Sequence, residues 1–139
     1  MNDPPVIDVP SVDPEMAAAI AKARATLPLF WVSYEAPRPS ERGHSVKVCF
    51  ATSGTNAEHI WMMDIRRLPD GGFSGRFAND PCDLAGKREG DLAQFTEADI
   101  TDWMFMRNGK IVGCETTRPL LKSMSKAEAD GFRAMLETP

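Results

Sequence analysis

The chain has 139 residues and a formal net charge of −4, with 26% charged and 42% hydrophobic residues. These values are ordinary for a globular protein, and the length suits one domain with a single core. Positive charge is scattered: the nearest basic pairs, Arg66-Arg67 and Lys87-Arg88, lie in or next to predicted turns. A nucleic-acid-binding surface needs a concentrated basic patch, so no nucleic acid is expected as a partner.

The N-terminal segment, residues 1–12, does not resemble a targeting sequence. It has no basic residue ahead of its apolar ones, and prolines interrupt it at Pro4, Pro5 and Pro10. No segment of the chain has the run of apolar residues that a membrane span requires, so no membrane is expected as a partner. We expect residues 1–12 to form a flexible tail and residues 13–139 a single domain.

The three cysteines, Cys49, Cys82 and Cys114, are odd in number and widely spaced. Without a CxxC spacing, this pattern is typical of reduced thiols, and the predicted location is cytoplasmic. Together with His44 and His59, the cysteines match no zinc-binding spacing. We therefore expect neither a metal site nor a cofactor.

The first predicted element is a helix that begins at Asp13, whose side chain can cap it, and that ends at Pro28. Apolar residues follow helical spacing between these two positions: Met16, Ile20, Ala23 and Leu27. Residues 29–32 are then expected to form a short extended segment, and residues 37–43 a polar loop.

Strands are predicted next, from alternating apolar and polar residues. They lie around residues 46–50, 58–65, 73–77 and 92–95. An Asn108-Gly109 turn then predicts a hairpin, and Ser125 with Glu128 forms a capping box for a last helix. This order predicts an α+β fold, with a curved antiparallel sheet of about five strands and an N-terminal and a C-terminal helix.

The predicted hairpin places acidic residues in an unusual position. With Asn108-Gly109 as a two-residue turn, Asp99 faces Arg118 and Asp102 faces Glu115. The second pair is unfavourable because like charges directly opposite on a sheet repel. Three explanations are open: a bulge that shifts the register, two acids that face water, or a shared polar site that does acid/base chemistry or binds a cation.

His59 and Trp61 lie two residues apart on their predicted strand and therefore point to one face. One interpretation is a core tryptophan with a hydrogen-bonded histidine at the sheet edge. The other is a recognition surface with a ring for stacking and a titratable tip. Asn79 and Asp80 precede Pro81, which ends the third strand, and their side chains could line a cleft. The sequence contains no nucleophile elbow and no phosphate-binding glycine loop.

A family resemblance is carried by residues 19–30, by Glu58-His-Ile-Trp61, by residues 75–81 and by Asp99-Ile-Thr-Asp-Trp103. These segments resemble the YegJ-like proteins, a bacterial family of small domains of unknown function, and residues 117–118 are similar to its closing strand. The resemblance implies a bacterial origin and a stand-alone domain, and it implies no activity, substrate or catalytic residue. Its shared polar positions mark where a common function would lie: His59, Asn79, Asp80, Asp99, Asp102, Trp103 and Arg118.

The predicted function is a non-catalytic bacterial binding module, a monomer or weak dimer, that recognises a protein or a small polar ligand. The candidate ligand-binding residues are His59, Trp61, Asn79, Asp80, Asp99, Asp102, Trp103, Glu115 and Arg118. The alternative is a small hydrolase-like or isomerase-like enzyme in which His59 acts with Asp102 or Glu115 as acid/base groups. A third hypothesis is a toxin-neutralising or stress protein with a flat acidic face. In each case Trp103 and Phe105 are expected to be buried.

Overall fold

The computed structural model describes residues 13–52, 57–82, 84 and 86–136. Within these residues the chain forms helix α1 (Pro14–Glu35), strands β1 (Glu41–Ala51), β2 (Ala57–Arg67), β3 (Phe73–Phe77), β4 (Leu92–Phe95), β5 (Ile100–Arg107) and β6 (Lys110–Gly113), and helix α2 (Lys126–Met135). Short 3-10 segments at Glu97–Asp99 and Glu115–Ser123 flank β5 and β6. The expected tail, residues 1–12, lies outside the described residues.

The strands form one sheet in the order β4-β3-β2-β1-β5-β6, and every neighbouring pair is antiparallel. The predicted α+β class is confirmed, with six strands in place of about five. Helix α1 lies on one face of the sheet, where Phe30 packs in a core with Val46 and Val48 of β1. Trp103 and Phe105 of β5 belong to the same core and are 2% and 1% exposed, as expected.

Helix α1 begins as predicted, because the Asp13 side chain accepts a hydrogen bond from the backbone N–H of Glu15 at 2.9 Å. It does not end at Pro28 but continues to Glu35, so the predicted end and the extended segment after it are wrong. A proline inside a helix removes one backbone hydrogen bond. The residues after it offset that loss, because Phe30 is fully buried and Trp31 stacks on Phe73 with ring centroids 4.9 Å apart.

Strand β1 begins earlier than predicted, at Glu41, inside the expected polar loop. Glu41 and Arg42 pair with Arg107 and Met106 of β5. The irregular register that follows contains Gly43, whose φ of +72° is one that other residues rarely adopt. Pairing with β5 therefore extends β1 into residues 41–43, whose composition is typical of a loop.

The hairpin of β5 and β6 has the predicted register, with Phe105 opposite Val112, but it ends at Gly113. A Cβ at Gly113 would lie 2.5 Å from the carbonyl oxygen of Trp103, so only glycine fits there. Cys114 then takes a left-handed conformation and the chain enters the 3-10 segment Glu115–Ser123. The strand expected around residues 117–118 is therefore wrong, and the cross-strand pairs Asp99–Arg118 and Asp102–Glu115 do not form.

Helix α2 confirms the predicted capping box, in which Ser125 Oγ accepts from the backbone N–H of Glu128 at 3.2 Å. Leu136, at its C-terminal end, packs with Ile111 and Cys114 in a second, smaller core, against which Trp61 also packs. None of the helices described here is long and apolar enough to cross a membrane.

Candidate functional site

A groove with a volume of about 410 Å³ lies between helix α1 and strands β5 and β6. The helix wall is made by residues at roughly helical spacing: Lys22, Thr26, Leu29, Val32, Ser33 and Ala36. The rise of roughly 1.5 Å per residue makes this wall about 21 Å long. Trp103, Phe105 and Val112 line the sheet side. The groove is therefore long and narrow, with an apolar middle.

The end of the groove near the C-terminus of α1 contains a carboxylate held by several donors. Glu41 Oε1 accepts from Ser33 Oγ at 2.9 Å and from the backbone N–H of Arg38 at 3.0 Å. Glu41 Oε2 accepts from Arg107 Nε at 3.0 Å and lies 2.9 Å from Arg107 Nη2. The Arg38 N–H, and then the Ser33 hydroxyl and the Arg107 guanidinium, lower the pKa of Glu41 to about 2 against the opposing effect of burial. Glu41 is thus an ionised, fully engaged structural acid.

Ser33 is also close to a histidine, which raises the question of an activated nucleophile. Its Oγ lies 2.7 Å from His44 Nε2 as well as 2.9 Å from Glu41 Oε1. A hydroxyl has one proton and an ionised carboxylate has none, so Ser33 donates to Glu41 and accepts from the N–H at His44 Nε2. His44 therefore has no free lone pair toward Ser33, and the pair is not a nucleophile with its base.

The opposite end of the groove also contains a carboxylate, but its partners are further away. Glu115 Oε1 lies 3.5 Å from Lys22 Nζ and 3.4 Å from Arg118 Nε. The Glu115 side chain is 11% exposed, whereas Lys22 and Arg118 are 55% and 32% exposed. Of the predicted site residues, Trp103, Glu115 and Arg118 line this groove together.

Asp102 lies outside the groove and is 0% exposed. Its carboxylate accepts from the backbone N–H groups of Trp103, Glu115 and Thr116 at 2.8, 3.1 and 2.9 Å, and from Thr116 Oγ1 at 2.6 Å. Lys47 Nζ donates to the same Thr116 hydroxyl at 2.8 Å. Asp102 therefore fixes the start of the 3-10 segment, with Lys47 as the nearby positive charge.

His59 lines a second, smaller cavity of about 280 Å³, together with Lys47 and the apolar side chains of Met16 and Leu120. Its Nδ1 lies 3.2 Å from Thr101 Oγ1. Glu115 lines the groove and not this cavity, and the oxygens of Asp102 are occupied. The arrangement required by the enzyme hypothesis, with His59 beside Asp102 or Glu115 in one pocket, is not formed.

Four other predicted residues lie apart from both cavities. Trp61 packs against the smaller core and lies under the Lys47 ammonium, which is 5.4 Å from the ring centroid. Asp80 is exposed and accepts from the backbone N–H of Glu89 at 2.8 Å, and Asn79 beside it is exposed. Asp99 accepts from the backbone N–H of Thr96 at 2.9 Å in a capping box.

Within the part of the chain that the structure describes, no group of three or more His, Cys, Asp or Glu side chains is arranged to hold a metal ion. The strongest polar clusters in the groove pair carboxylates with Arg and Lys, which are not metal ligands.

The sequence model of a bacterial protein family matches residues 13–137, a range that includes all the residues that the structure describes. The chain belongs to the DUF2314 family. The description of the family is an uncharacterized protein conserved in bacteria, so membership brings no activity and no assigned residue. The resemblance noted in the sequence is confirmed, since the uncharacterized protein YegJ of Escherichia coli K12 is 38% identical over 85 residues, 61% of this chain and 55% of YegJ.

A second relative is a putative ankyrin repeat protein of Neisseria meningitidis serogroup B. It is 30% identical over 136 residues, which cover 92% of this chain and 53% of the relative. The chain thus spans about half the length of the curated relatives it matches. No solved structure matches it.

Sequence reasoning missed several residues that line the groove, namely Lys22, Ser33, Glu41 and Arg107. Lys22 and Ser33 lie about three turns apart on the same face of α1, a signal that was hidden by ending the helix at Pro28. Glu41 and Arg107 are 66 residues apart in sequence, and their pairing depends on the full length of β1. Trp103 was found because alternation in the hairpin marks it as buried.

Proposed function

We propose that this DUF2314 chain is a non-catalytic binding module whose groove holds an extended peptide segment of a partner protein. The observation that carries the proposal is the shape of the groove, which reaches from Lys22 to Ala36 along α1. A compact ligand that filled the same volume would be roughly 9 Å across and would leave one end empty. An extended chain rises about 3.3 Å per residue, so about six residues match the helix wall.

Two aliphatic side chains on the rim of the groove support peptide binding. Leu29 is 60% exposed and Val32 is 71% exposed, and both line the groove together with the buried core residues Trp103 and Phe105. Exposed aliphatic groups on the rim of a groove are typical of sites that take apolar side chains of a peptide.

One of the relatives reported above supports a role in recognition, since it is named a putative ankyrin repeat protein. Ankyrin repeats stack into extended concave binding surfaces, so a domain similar to this one belongs to a protein named for a binding architecture.

A cytoplasmic location is part of the proposal. The three cysteines, Cys49, Cys82 and Cys114, form no disulfide bond, which is typical of proteins in a reducing compartment. Alkylation of intact cells with a membrane-permeant maleimide should label exposed Cys82, whereas an impermeant maleimide should not. Labelling by the impermeant reagent would contradict this location.

A hexapeptide array tests the peptide groove directly. The wild type should bind a subset of peptides that contain apolar residues, and Leu29→Asp should weaken that binding at least about tenfold, because a carboxylate then replaces an apolar contact. The matched control is Leu92→Asp, since Leu92 is also exposed, at 53%, but lies on β4 at the other edge of the sheet.

Leu92→Asp should bind the same peptides as the wild type with unchanged affinity. Both variants should remain folded, since neither leucine side chain is buried. Thermal unfolding of each variant checks this. Binding of no peptide by the wild type, or equal binding by Leu29→Asp, would contradict the proposal.

A further inference from the structure

The two ends of the groove offer different chemistry to a ligand. At one end, Glu41 occupies both Arg107 and the Ser33 hydroxyl at distances of 3.0 Å or less. At the other end, Lys22 and Arg118 share a single oxygen of Glu115. We infer that a carboxylate of the bound peptide is held between Lys22 and Arg118, so that the groove selects acidic segments. This inference rests on the proposed function of the groove.

The ion pairs around Glu115 are incomplete. Lys22 Nζ and Arg118 Nε lie 3.5 and 3.4 Å from Glu115 Oε1, whereas charge-assisted hydrogen bonds between nitrogen and a carboxylate oxygen measure about 2.7–2.9 Å. Two positive charges thus face one negative charge at a loose distance. Among the residues that the structure describes, one positive charge at this end has no negative partner.

Arg118 has donor capacity that the described chain does not use. Its Nε is buried and has no hydrogen-bond acceptor among the described residues, and its Nη2 reaches only the carbonyl oxygen of Gly113, at 3.5 Å. A guanidinium binds a carboxylate through two parallel N–H groups, and the ammonium of Lys22 supplies a further donor on the facing helix wall. The two side chains therefore form opposite sides of a carboxylate site.

The charge of the whole groove favours the same ligand. Four cationic residues and two acidic ones line it: Lys22, Arg38, Arg107, Arg118, Glu41 and Glu115. The groove therefore has a surplus of two positive charges in a protein whose net charge is −4. Such a local surplus attracts acidic segments and disfavours basic ones.

The carboxylate of the peptide has two sources, an acidic side chain or the C-terminus of the partner chain. Both present the same two oxygens to Lys22 and Arg118. Peptides with a free and with an amidated C-terminus, each made with Glu, Gln or Lys at a terminal position and with the apolar positions unchanged, separate the two sources.

Fluorescence anisotropy with these labelled hexapeptides tests the site. For the wild type we expect carboxylate-bearing peptides to bind about tenfold tighter than their neutral forms, and the Lys versions to bind weakest. For the double variant Lys22→Glu, Arg118→Glu we expect the reversed order. The control is Lys126→Glu, on α2, where the lysine side chain is 90% exposed and outside the groove; it should retain the wild-type order.

The single variant Lys22→Glu keeps the test valid if the double variant does not fold, because Lys22 is more than half exposed. It should lose the preference for carboxylates. Loss of binding on amidation alone assigns the site to a C-terminus, and loss on Glu→Gln exchange in the peptide assigns it to a side chain; either supports the inference.

Two results would overturn it and are distinguishable. If peptides bind in a Leu29-dependent manner but Glu, Gln and Lys versions bind equally, the carboxylate site is wrong and the peptide groove stands. If no hexapeptide binds in a Leu29-dependent manner, both the site and the proposed function are wrong.

Discussion

Glu41 and Glu115 are acids at opposite ends of one groove, and both side chains are largely buried, at 4% and 11% exposure. Glu41 is held by three residues at distances of 2.9–3.0 Å, whereas the two cations beside Glu115 lie 3.4–3.5 Å away. The first acid is fully engaged within the fold, whereas in our proposal the cations beside the second bind another carboxylate. Burial alone therefore does not distinguish the two acids, whereas the distances and the number of their donors do.

The largest effect is expected from Trp103, which lies between the two ends. It is 2% exposed, and its indole N–H donates to the carbonyl oxygen of Ala23 at 3.0 Å. Trp103→Ala should lower the free energy of unfolding by about 3–5 kcal/mol, as for other large aromatic side chains in cores. Urea denaturation measures this loss. A loss of unfolding free energy below about 1 kcal/mol would show that Trp103, on the sheet side of the groove, is not part of the core.

The two acids themselves provide the next test. Glu41→Gln should destabilise the protein at pH 7, because the Arg107 guanidinium loses its anionic partner and the Arg38 N–H a charged acceptor. Glu115→Gln should change the free energy of unfolding by less than about 1 kcal/mol, because its ion pairs are long and the side chains of Lys22 and Arg118 are 55% and 32% exposed. Both are isosteric changes measured by the same urea titration. A larger loss for Glu115→Gln would reverse the comparison.

The stability contributed by Glu41 should depend on pH. The pKa of this carboxyl is about 2 in the folded protein against an ordinary value of 4.5, so the unfolded chain binds a proton more readily between these values. The contribution is therefore complete above pH 4.5 and is lost as the pH falls toward 2. Urea titrations at pH 7, 4 and 2.5 should show the wild type and Glu41→Gln converging. A difference in unfolding free energy between the two proteins that stays constant across this range would contradict the assignment of this pH dependence to Glu41.

His44 should produce the smallest effect, with the same sign. Burial lowers the pKa of His44 from its ordinary value of 6.5, although the negative charge of Glu41 acts against the shift. The unfolded chain therefore binds a proton first, and stability should fall as the pH drops below 6.5. His44→Gln should remove this slope from plots of unfolding free energy against pH. A slope that persists unchanged in the variant would exclude His44 as its origin.

Local signals predicted the elements that depend on neighbouring residues. The Asn108-Gly109 turn set the hairpin register, and the Ser125 cap set the start of α2. Tertiary packing decided the rest. Helix α1 passes through Pro28 because Phe30 is buried against the sheet, which no local pattern reveals.

The candidate site was only partly accessible from sequence for the same reason. Glu115 and Arg118 were singled out by extending the hairpin register beyond Gly113, where β6 ends, and they meet Lys22 through the 3-10 segment instead. Asp102, for which a shared polar site was one of three explanations left open, is the residue that holds this segment in place. The sequence identified acidic positions that take part in polar contacts. It did not identify their partners, because those contacts join residues that are distant in sequence.

Nuclear magnetic resonance would locate peptide binding, which we propose occurs in the groove between α1 and β5–β6. Amide chemical shifts of ¹⁵N-labelled protein would be followed during titration with the tightest-binding acidic hexapeptide from the array. We expect the largest shifts at residues 22–36 and at Arg118, with small changes at His59 and Trp61. Largest shifts around His59 and Trp61, or no shifts at saturating peptide, would contradict it.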